Sequence, residues 1–349
     1  MRVLIALSGG VDSSVAAALL HEQGHELVGV TFHLWDASGE NKVGRCCAPE
    51  DRDDARRTAD ELGFPHYVID ERDAFRAHVI EPFLDSYMGG TTPAPCVACN
   101  QHVKVSRLVE LADRFGCERI ATGHYARIER CDDGQVRLLR GRDRAKDQSY
   151  FLYGVPASAL ARLLFPLGEL TKQQTRAEGV RLGVPNANKP DSQELCFVPD
   201  GDIGGFVERE RGIREQGELR ASDGEVVGEH QGIYRYTVGQ RRGLGLGGGP
   251  ARYVLRVLPS ERAVVVGEEH ELFASRCEAL SAAWCSAAPS EPFEAEVRVR
   301  HRHAPAAARV VPRAGAFAVE FHTPQRAITP GQAVVVYRGD EVVGGGIIA

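Results

Sequence analysis

Lysine is scarce in this chain. Its 349 residues include 42 Lys and Arg, of which 37 are Arg and only five are Lys. The plainest interpretation of this bias is a genome rich in G and C. Each lysine is therefore an uncommon choice, and its place in the sequence is informative. The five are Lys42, Lys104, Lys146, Lys172 and Lys189.

The chain also lacks an excess of positive charge, a long apolar run and an even number of cysteines. Its net charge of −6 excludes a uniformly basic nucleic-acid wrapper but is compatible with a local basic face. No stretch approaches the about 18 apolar residues of a membrane span. The N-terminal apolar run reaches Gly9-Gly10 too soon for a signal peptide. We therefore expect a cytoplasmic protein without membrane association, whose nine cysteines are mostly reduced thiols.

The first half of the chain alternates short apolar runs with helical patterns. Helices are predicted to follow the apolar runs, with apolar residues at helical spacing in residues 15–20, 51–62 and 105–115. The runs themselves predict strands at residues 3–7, 27–32, 66–69 and 120–122. This alternation predicts an α/β fold with a doubly wound parallel sheet.

The second half has a different pattern, with mostly strands expected beyond residue 205. Alternating apolar residues predict a small β-barrel or sandwich that ends in a hairpin around Gly339-Asp340. At about 100–200 residues per domain, the length is compatible with two or three domains. We expect a catalytic domain at residues 1–205, a central β-rich domain at 206–270 and a C-terminal β-barrel at 271–349.

Residues 8–14 read Ser-Gly-Gly-Val-Asp-Ser-Ser and stand between a predicted strand and a predicted helix. The glycines permit a tight turn whose N–H groups point at an anion, and the helix adds its positive N-terminal end. The loop has no Walker lysine, and Asp12 among phosphates suggests a nearby Mg²⁺. An ordinary βα turn is the alternative. The heptad resembles the PP-loop of enzymes that cleave ATP between its α- and β-phosphates and adenylate a carbonyl oxygen.

Three cysteines are candidates for chemistry. Cys96 and Cys99 form a Cys-x-x-Cys after two prolines and before a predicted helix, and a helix N-terminus lowers a thiol pKa. Cys196 could face Cys99 across a cleft. A zinc site commonly needs two such pairs, and the adjacent Cys46-Cys47 is a poor second pair. The other cysteines are expected to be small buried hydrophobes: Cys117, Cys131, Cys277 and Cys285.

Sequence blocks from end to end strengthen the resemblance. Together they are similar to the bacterial tRNA-uridine 2-sulfurtransferases, the 2-thiouridylases of the MnmA/TrmU family within the PP-loop superfamily. Besides the PP-loop, the blocks are residues 44–47, 92–100, 121–125, 146–151, 165–170, 189–197, 236–245 and 329–332.

The resemblance implies an activity. This family converts the wobble uridine of certain tRNAs to 2-thiouridine, using ATP to adenylate the C2 oxygen and releasing AMP and pyrophosphate. It implies Cys99 as nucleophile and Cys196 as carrier of a persulfide, with a disulfide between them as one end state. It also implies that the sulfur comes from a sulfur-carrier or cysteine desulfurase system.

The resemblance further implies binding residues for ATP and for tRNA. Expected ATP contacts are Ala6, Leu7, Ser8, Gly9, Gly10, Val11, Asp12, Ser13, Phe32 and Gly123. Expected contacts to the target base and the rest of the tRNA are Ala94, Pro95, Cys96, His124, Lys146, Asp147, Gln148, Arg300, His301 and Gln332.

One position departs from the commoner form of the family. Three residues before the first catalytic cysteine, the commoner form has aspartate and this chain has Cys96. The thiols of Cys96, Cys99 and Cys196 could therefore hold three irons of a [4Fe–4S] cluster, leaving the fourth iron open to hydrosulfide. Persulfide and cluster chemistry both remain open at this stage.

Two segments are candidates for the tRNA face. Residues 231–250 contain no acid, and Tyr234 and Tyr236 are expected to interleave aromatic surface with arginines. Residues 298–313 carry five arginines and two histidines without an acid. Because Arg298, Arg300 and Arg302 alternate, they are expected to share one face of a strand. This alternation favours a basic stripe for tRNA, with merely solvent-facing strand arginines as the alternative.

Two other functions compete with tRNA thiolation. Another PP-loop ligase, similar to argininosuccinate or GMP synthetase, would not need Cys99 or Cys196. A tRNA- or iron–sulfur-binding protein without catalysis is the third alternative, and the intact PP-loop argues against it.

Overall fold

The computed structural model describes residues 1–36, 49–132, 134–190, 195–198, 200–247 and 249–349. The Gly-Arg-Cys-Cys block at 44–47, Lys42 and residues 191–194 lie outside these ranges. In chain order, the helices within the described residues are α1 Val11–Glu22, α2 Pro49–Leu62, α3 Arg72–Phe75, α4 Glu81–Met88, α5 Pro95–Ala98, α6 Val105–Arg114, α7 Ala157–Leu160, α8 Lys172–Arg181 and α9 Ile203–Arg211.

Two π-helical segments, four short 3₁₀ helices and a large set of strands complete the described elements. The 3₁₀ helices are Ser149–Phe151, Ile233–Arg235, Pro259–Glu261 and Glu269–Leu272. The π segments are Arg76–Ile80, which joins α3 to α4, and Cys99–Lys104, which joins α5 to α6. The strands are β1 Arg2–Ala6, β2 Glu26–His33, β3 His66–Asp70, β4 Arg119–Ala121, β5 Ala126–Arg130, β6 Val136–Arg140, β7 Leu163–Leu164, β8 Gly217–Ala221, β9 Val226–His230, β10 Tyr253–Leu258, β11 Ala263–Gly267, β12 Phe273–Trp284, β13 Phe293–Arg298, β14 Ala306–Arg313, β15 Ala316–Arg326, β16 Ala333–Arg338 and β17 Glu341–Ile348.

The chain forms two compact units. The first comprises Met1–Val79, Cys96–Pro199 and Asp340–Val343, and the second comprises Ile80–Pro95, Asp200–Gly339 and Gly344–Ala349. Among the described residues, none of the helices combines the length and the hydropathy that a bilayer crossing requires.

A five-stranded parallel sheet, in the order β3-β2-β1-β4-β7, forms the centre of the first unit. Apolar side chains make β1 a buried strand: Val3, Leu4 and Ile5 are fully buried. The order reverses at β1, which pairs with β2 on one side and with β4 on the other. This confirms the predicted doubly wound sheet. The loop after β1 therefore lies at the switch point, where such sheets bind their ligands.

The second unit is mostly antiparallel β-structure. Strands β8 to β11 form a four-stranded sheet in the order β10-β11-β8-β9. Strands β12 to β17, all within the described residues 249–349, form a six-stranded barrel in the order β12-β15-β14-β13-β16-β17, which pairing of β12 with β17 closes. The C-terminal barrel and the terminal hairpin expected from the sequence are confirmed.

The expectation of mostly strands beyond residue 205 missed helix α9. Its N-terminus is capped by Asp202, whose carboxylate accepts a hydrogen bond of 2.9 Å from the N–H of Gly205. It ends at Arg211 and is capped by Gly212, which has a left-handed backbone with φ of 64°. Asp before the helix and Gly after it are ordinary capping residues, so the sequence did contain a signal for this helix.

Candidate active site

Hydrogen bonds fold the PP-loop onto itself at the start of α1. The N–H of Ser8 donates to Oγ of Ser13 over 3.1 Å, and that hydroxyl donates to the carbonyl of Gly10 over 3.0 Å. Gly9 has a φ of +72°, and a Cβ on it would lie 2.0 Å from the carbonyl oxygen of Asp51. Glycine is therefore required at this position for both its backbone angle and the space around it.

Two side chains from far along the chain fix the carbonyl of Gly9. Nδ2 of Asn186 donates to it over 2.9 Å and also to Oγ of Ser14 over 3.2 Å. Nζ of Lys189 donates to the same carbonyl over 3.2 Å and forms ion pairs with Asp51 and Asp54. These contacts hold the Gly9 peptide in one orientation.

Asp12, the acid of the loop, is bound from two sides. The hydroxyl of Tyr125 lies 2.9 Å from its Oδ1, and Nζ of Lys172 lies 2.7 Å from the same oxygen. Tyr125 is almost fully buried, and the Lys172 side chain is only 13% exposed. The position of this carboxylate is therefore determined by residues outside the loop.

The two other predicted ATP residues lie at the same edge of the sheet as the loop. A Cβ on Gly123 would lie 2.7 Å from the backbone nitrogen of Ser13, so this glycine permits a close approach to the loop. Phe32 lies near the end of β2, two residues beyond Val30, which pairs with Ala6 at the end of β1. The ATP contacts themselves stay predictions.

Cys99 begins the π segment that continues the helix from Pro95. Cys96 is exposed, whereas Cys99 is buried. The segment is anchored next to Cys99: Nδ2 of Asn100 donates to the carbonyl of Phe151 over 3.3 Å, and Gln101 packs so closely on Gly154 that a Cβ there would overlap it. π-Helical turns are frequent at functional sites. Here the turn and its anchors fix the backbone that carries Cys99.

Cys196 is half-buried and belongs to the same unit as Cys99. The next residue, Phe197, packs edge-on against Phe75 with ring centroids 5.8 Å apart. The N–H of Val198 donates to the carbonyl of Leu195 over 3.0 Å, which closes a turn around the cysteine. A disulfide between Cys99 and Cys196 stays a prediction.

The iron–sulfur cluster finds no support in the described part of the chain. There, no three His, Cys, Asp or Glu side chains are grouped closely enough to hold a metal ion, and Cys96, Cys99 and Cys196 are all among the residues considered. The environments of these thiols also differ, from exposed at Cys96 to buried at Cys99.

Of the four cysteines expected to be buried hydrophobes, Cys117, Cys277 and Cys285 are buried, whereas Cys131 is only half-buried. Burial raises the pKa of Cys277 to about 12 and also raises the pKa of Cys117. Because thiolate is the reactive form of cysteine, neither thiol is suited to nucleophilic chemistry.

His124 is a neutral imidazole. Its Nδ1 lies 2.8 Å from the hydroxyl of Thr122. Burial, assisted by the positive charge of Lys104, lowers the pKa of His124 to about 3. A tRNA contact by this residue would therefore use hydrogen bonding or stacking rather than a positive charge.

Side chains of the Lys-Asp-Gln block at 146–148 accept hydrogen bonds from the backbone of neighbouring residues. Asp147 is buried, and its Oδ1 accepts hydrogen bonds from the N–H groups of Gly141 and Ser149, over 3.0 and 3.1 Å. Oε1 of Gln148 accepts from the N–H of Tyr125 over 3.0 Å. Contacts between tRNA and Lys146, Asp147 or Gln148 stay predictions.

In the second unit, Gln332 holds the segment that precedes the Cys-x-x-Cys. Its Nε2 donates to the carbonyls of Thr92 and Pro93, over 3.0 and 3.1 Å. The N–H of Thr92 donates to the carbonyl of Pro330 over 2.9 Å, and its hydroxyl donates to that of Thr237 over 3.2 Å. Three of the resemblance blocks therefore meet around Thr92, next to Ala94 and Pro95.

The expectation that Arg298, Arg300 and Arg302 share one strand face is wrong. Strand β13 ends at Arg298, and the chain then turns. Arg298 is buried and lies 5.5 Å from the centre of the Tyr337 ring. Nη2 of Arg300 donates to the carbonyl of Val238 over 2.7 Å and to the hydroxyl of Thr329.

The expected aromatic surface at residues 231–250 is also wrong. Tyr234 is fully buried and Tyr236 nearly so. Arg235, between them, forms ion pairs with Glu208 and Asp202. Arg241 and Arg242 remain exposed and available to phosphate groups. The apolar bodies of the tyrosines are used in packing, which a charge pattern alone does not reveal.

Several residues at the loop were not predicted from the sequence as part of the ATP site. Tyr125, Lys172, Asn186 and Lys189 all contact residues 9–14. The rarity of lysine was the available signal for two of them, but only the fold shows which residue each lysine meets.

The fold and the loop define a PP-loop α/β domain of the ATP-utilising type, followed by two β-domains. Family models match accordingly: the tRNA methyl transferase HUP domain at residues 1–200, the tRNA methyl transferase PRC-barrel domain at 204–268 and the aminomethyltransferase β-barrel domain at 275–348.

Curated relatives match the chain nearly end to end. A tRNA-specific 2-thiouridylase MnmA of Sorangium cellulosum is 51% identical over 99% of this chain and 92% of its own length. Proteins of the same name from Geobacter metallireducens and Carboxydothermus hydrogenoformans are each 48% identical over 99% of this chain, and over 96% and 97% of their own lengths. The chain therefore belongs to the family of tRNA-specific 2-thiouridylases, MnmA.

Proposed function

We propose that this chain is the enzyme that 2-thiolates the wobble uridine of tRNA with the use of ATP. One observation carries the proposal: a single structural unit contains an ordered PP-loop together with both cysteines that the sequence singled out, Cys99 and Cys196. Relatives named tRNA-specific 2-thiouridylase share about half of its residues. The uridine, the ATP and the sulfur are then the three components that the site must bind.

The first half-reaction in this proposal is adenylation. Loop N–H groups and the positive end of α1 hold the phosphates of ATP. The C2 oxygen of uridine attacks the α-phosphorus, the bond to the bridging oxygen of the β-phosphate breaks, and pyrophosphate leaves. AMP is then attached to C2 through the original oxygen and is a far better leaving group than oxide. The target base lies against residues 94–96 in this scheme.

The second half-reaction transfers sulfur. The terminal sulfur of a persulfide on Cys196 attacks C2, and AMP leaves with the former uridine oxygen. The thiolate of Cys99 then attacks Sγ of Cys196, the sulfur–sulfur bond breaks, and its electron pair stays on the sulfur of 2-thiouridine. A disulfide between the two cysteines remains. An external thiol reduces it with two electrons, and a sulfur-carrier or cysteine desulfurase system reloads Cys196.

The residues present fit a Mg²⁺ ion that enters with ATP. Mg²⁺ commonly uses only one or two protein carboxylates, with phosphates and waters as its other ligands. Asp12 offers one carboxylate in the loop, and its side chain is 33% exposed. Bound there, Mg²⁺ would neutralise phosphate charge and favour the departure of pyrophosphate.

The remaining parts of the proposal concern organisation and location. We propose the domain division 1–205, 206–270 and 271–349, with the last two domains contributing to tRNA binding. Exposed Arg241 and Arg242 supply positive charge for phosphate contacts. The proposal places the reaction in the cytoplasm, with the tRNA substrate.

Mass spectrometry of tRNA nucleosides from a deletion strain tests the function. We expect 2-thiouridine to disappear and to return with the unaltered gene, but not with Cys99→Ser or Cys196→Ser. Cys117→Ser and Cys277→Ser are the matched controls, since burial raises both pKa values, and both should restore the nucleoside. Unchanged 2-thiouridine in the deletion strain would refute the proposal.

Anaerobic purification separates the two sulfur routes. The persulfide route predicts a colourless protein without iron that is fully active with a sulfur donor. An iron-dependent activity would contradict it.

The two cysteine variants also test the competing function. Another PP-loop ligase would retain its activity in both Cys99→Ser and Cys196→Ser.

A further inference from the structure

The ammonium group of Lys172 reaches the PP-loop from 160 residues away in the sequence. Its Nζ lies 2.7 Å from Oδ1 of Asp12, the second residue of α1. The side chain is 13% exposed. A rare lysine therefore stands at the loop that lacks a lysine of its own.

The backbone of Lys172 is held rigidly. The preceding Thr171 caps α8 in a reciprocal pair with Gln174: its hydroxyl accepts from the N–H of Gln174 over 3.2 Å, and its N–H donates to Oε1 of Gln174 over 2.8 Å. The N–H of Lys172 donates to Oδ2 of Asp143 over 2.9 Å. The movable part of this residue is therefore its four-carbon side chain.

The positive charge of Lys172 is at the N-terminal end of its own helix, where the helix dipole disfavours a cation. It is the first residue of α8, where the helix dipole is positive, and the first turn of α8 contains no acidic residue. The Asp12 carboxylate stands beside the positive end of α1 as well. The Asp143 carboxylate accepts from the N–H of Lys172 and offsets part of the positive end of α8. The ammonium group itself stands at the loop, beside the positive end of α1, where it favours the binding of phosphate charge.

Lys189 differs from Lys172 in its surroundings. It donates to the carbonyl of Gly9 and pairs with both Asp51 and Asp54, so two carboxylates balance its charge. Its contacts hold the backbone of the loop at Gly9. Lys172 instead meets the carboxylate that the proposed function assigns to the ATP site.

We propose that Lys172 is a phosphate-binding residue of this site. When ATP enters, its ammonium group turns from Asp12 to the β- and γ-phosphates and stays with the departing pyrophosphate. It thereby supplies, from α8, the cation that a Walker loop carries in its own sequence. This inference rests on the proposed function, since it requires that the loop binds ATP.

Binding of ATP, inorganic pyrophosphate and AMP to the full-length protein tests the inference by calorimetry. For Lys172→Met, the loss of a charge-assisted contact should weaken ATP and pyrophosphate binding about 10- to 100-fold. AMP binding should change less than about threefold, since AMP lacks the β- and γ-phosphates. Lys172→Arg should recover part of the affinity, because it retains the charge but not the compact ammonium group.

Arg181→Met is the matched control. Arg181 lies at the other end of α8 and pairs with Glu22 at the end of α1, over 2.6 and 2.7 Å. It joins the same two helices away from the loop, and its removal should leave all three affinities unchanged. Thermal unfolding without ligand checks that each variant is folded.

The outcomes separate the inference from the proposed function. If the unaltered protein fails to bind ATP, the proposed function fails. If it binds ATP and Lys172→Met weakens ATP and AMP equally, or weakens neither, Lys172 is only a partner of Asp12 and the inference is wrong. A selective loss of pyrophosphate and ATP binding supports it.

Discussion

The phenolic oxygen of Tyr125 lies 2.9 Å from Oδ1 of Asp12 and equally far from Oγ1 of Thr175. Tyr125 follows Gly123 and His124, which the sequence resemblance associated with ATP and with tRNA. Its hydroxyl instead connects the acid of the PP-loop to α8. Tyr125 thus orients the loop, while the ATP contact of Gly123 and the tRNA contact of His124 stay predictions.

Tyr125→Phe removes this contact without changing the ring. We expect a loss of about 1–2 kcal/mol in the free energy of unfolding and a several-fold weaker ATP affinity, since Asp12 loses a hydrogen bond. Urea unfolding and calorimetry measure the two effects. Tyr234→Phe is the control, because its hydroxyl contacts Glu208 over 3.1 Å in the second unit. Equal ATP affinities in all three proteins would contradict the prediction.

Gly9→Ala should abolish nucleotide binding. The added methyl group would lie 2.0 Å from a backbone oxygen that no side-chain rotation can move. Gly24→Ala is the control: its φ is +78°, but nothing lies within 4 Å of the added methyl group. That variant should lose about 1–2 kcal/mol from backbone strain alone and retain ATP binding. Calorimetric titration with ATP distinguishes them, and a binding-competent Gly9→Ala protein would refute the prediction.

Gln332→Ala should slow thiolation about 10-fold while ATP affinity stays unchanged. The variant frees the carbonyls of Thr92 and Pro93, which precede the segment assigned to the target base. Gln332→Glu should be at least as slow, because a carboxylate cannot donate to a carbonyl. Single-turnover thiolation of tRNA measures the rate.

Gln325→Ala is the control for that series. Its Nε2 also donates to a carbonyl, that of Thr323 over 2.7 Å, in the same unit but toward the exposed end of β15. Equal thiolation rates for the Gln325 and Gln332 variants would show that Gln332 does not position this segment.

His124 should make the protein less stable in mild acid. The pKa of His124 is about 3 in the folded protein, below its ordinary value, so between these values only the unfolded chain binds the proton. The contribution of neutral His124 to the free energy of unfolding is therefore fully present well above about pH 6.5. It falls as the pH is lowered, and at about pH 5 roughly 2 kcal/mol has been lost. His124→Gln should remove this part of the decline. Urea unfolding at both pH values checks it, and parallel profiles would contradict it.

Alkylation should distinguish the cysteines by burial. Exposed Cys96 should react with iodoacetamide before Cys117 and Cys277, which should resist until the protein is unfolded, because burial raises their pKa values. Mass spectrometry of peptides locates the label. Labelling of Cys277 in the folded protein at the rate of Cys96 would contradict the assignment.

The sequence predicted those features that depend on neighbouring residues. Strands β1 and β2 follow from their apolar runs, and the loop follows from its glycines and their place between strand and helix. Helix α9 was missed although Asp202 and Gly212 mark its ends, because Gly204 and Gly205 in its first turn have low helix propensity.

Features that depend on distant residues could not be predicted in this way. Alternating arginines at 298, 300 and 302 suggested a continuing strand, but the chain turns after Arg298, where its side chain lies near the Tyr337 ring. The scarcity of lysine marked all five lysines, Lys172 and Lys189 among them, without identifying their partners. Those partners, Asp12 and the carbonyl of Gly9, are known only once the sheet and α8 are in place.

The hydrogen bonds from Asn186 and Lys189 to the carbonyl of Gly9 have a consequence for folding during synthesis on the ribosome. Strand β1 and the loop are among the first segments to be synthesised, yet the side chains that fix the loop emerge some 180 residues later. A nascent chain released before that point would have the sequence of the nucleotide loop but not its fixed shape. Contacts between such distant segments also close slowly. ATP binding should therefore arise late in synthesis, as one of the last properties that the first unit acquires.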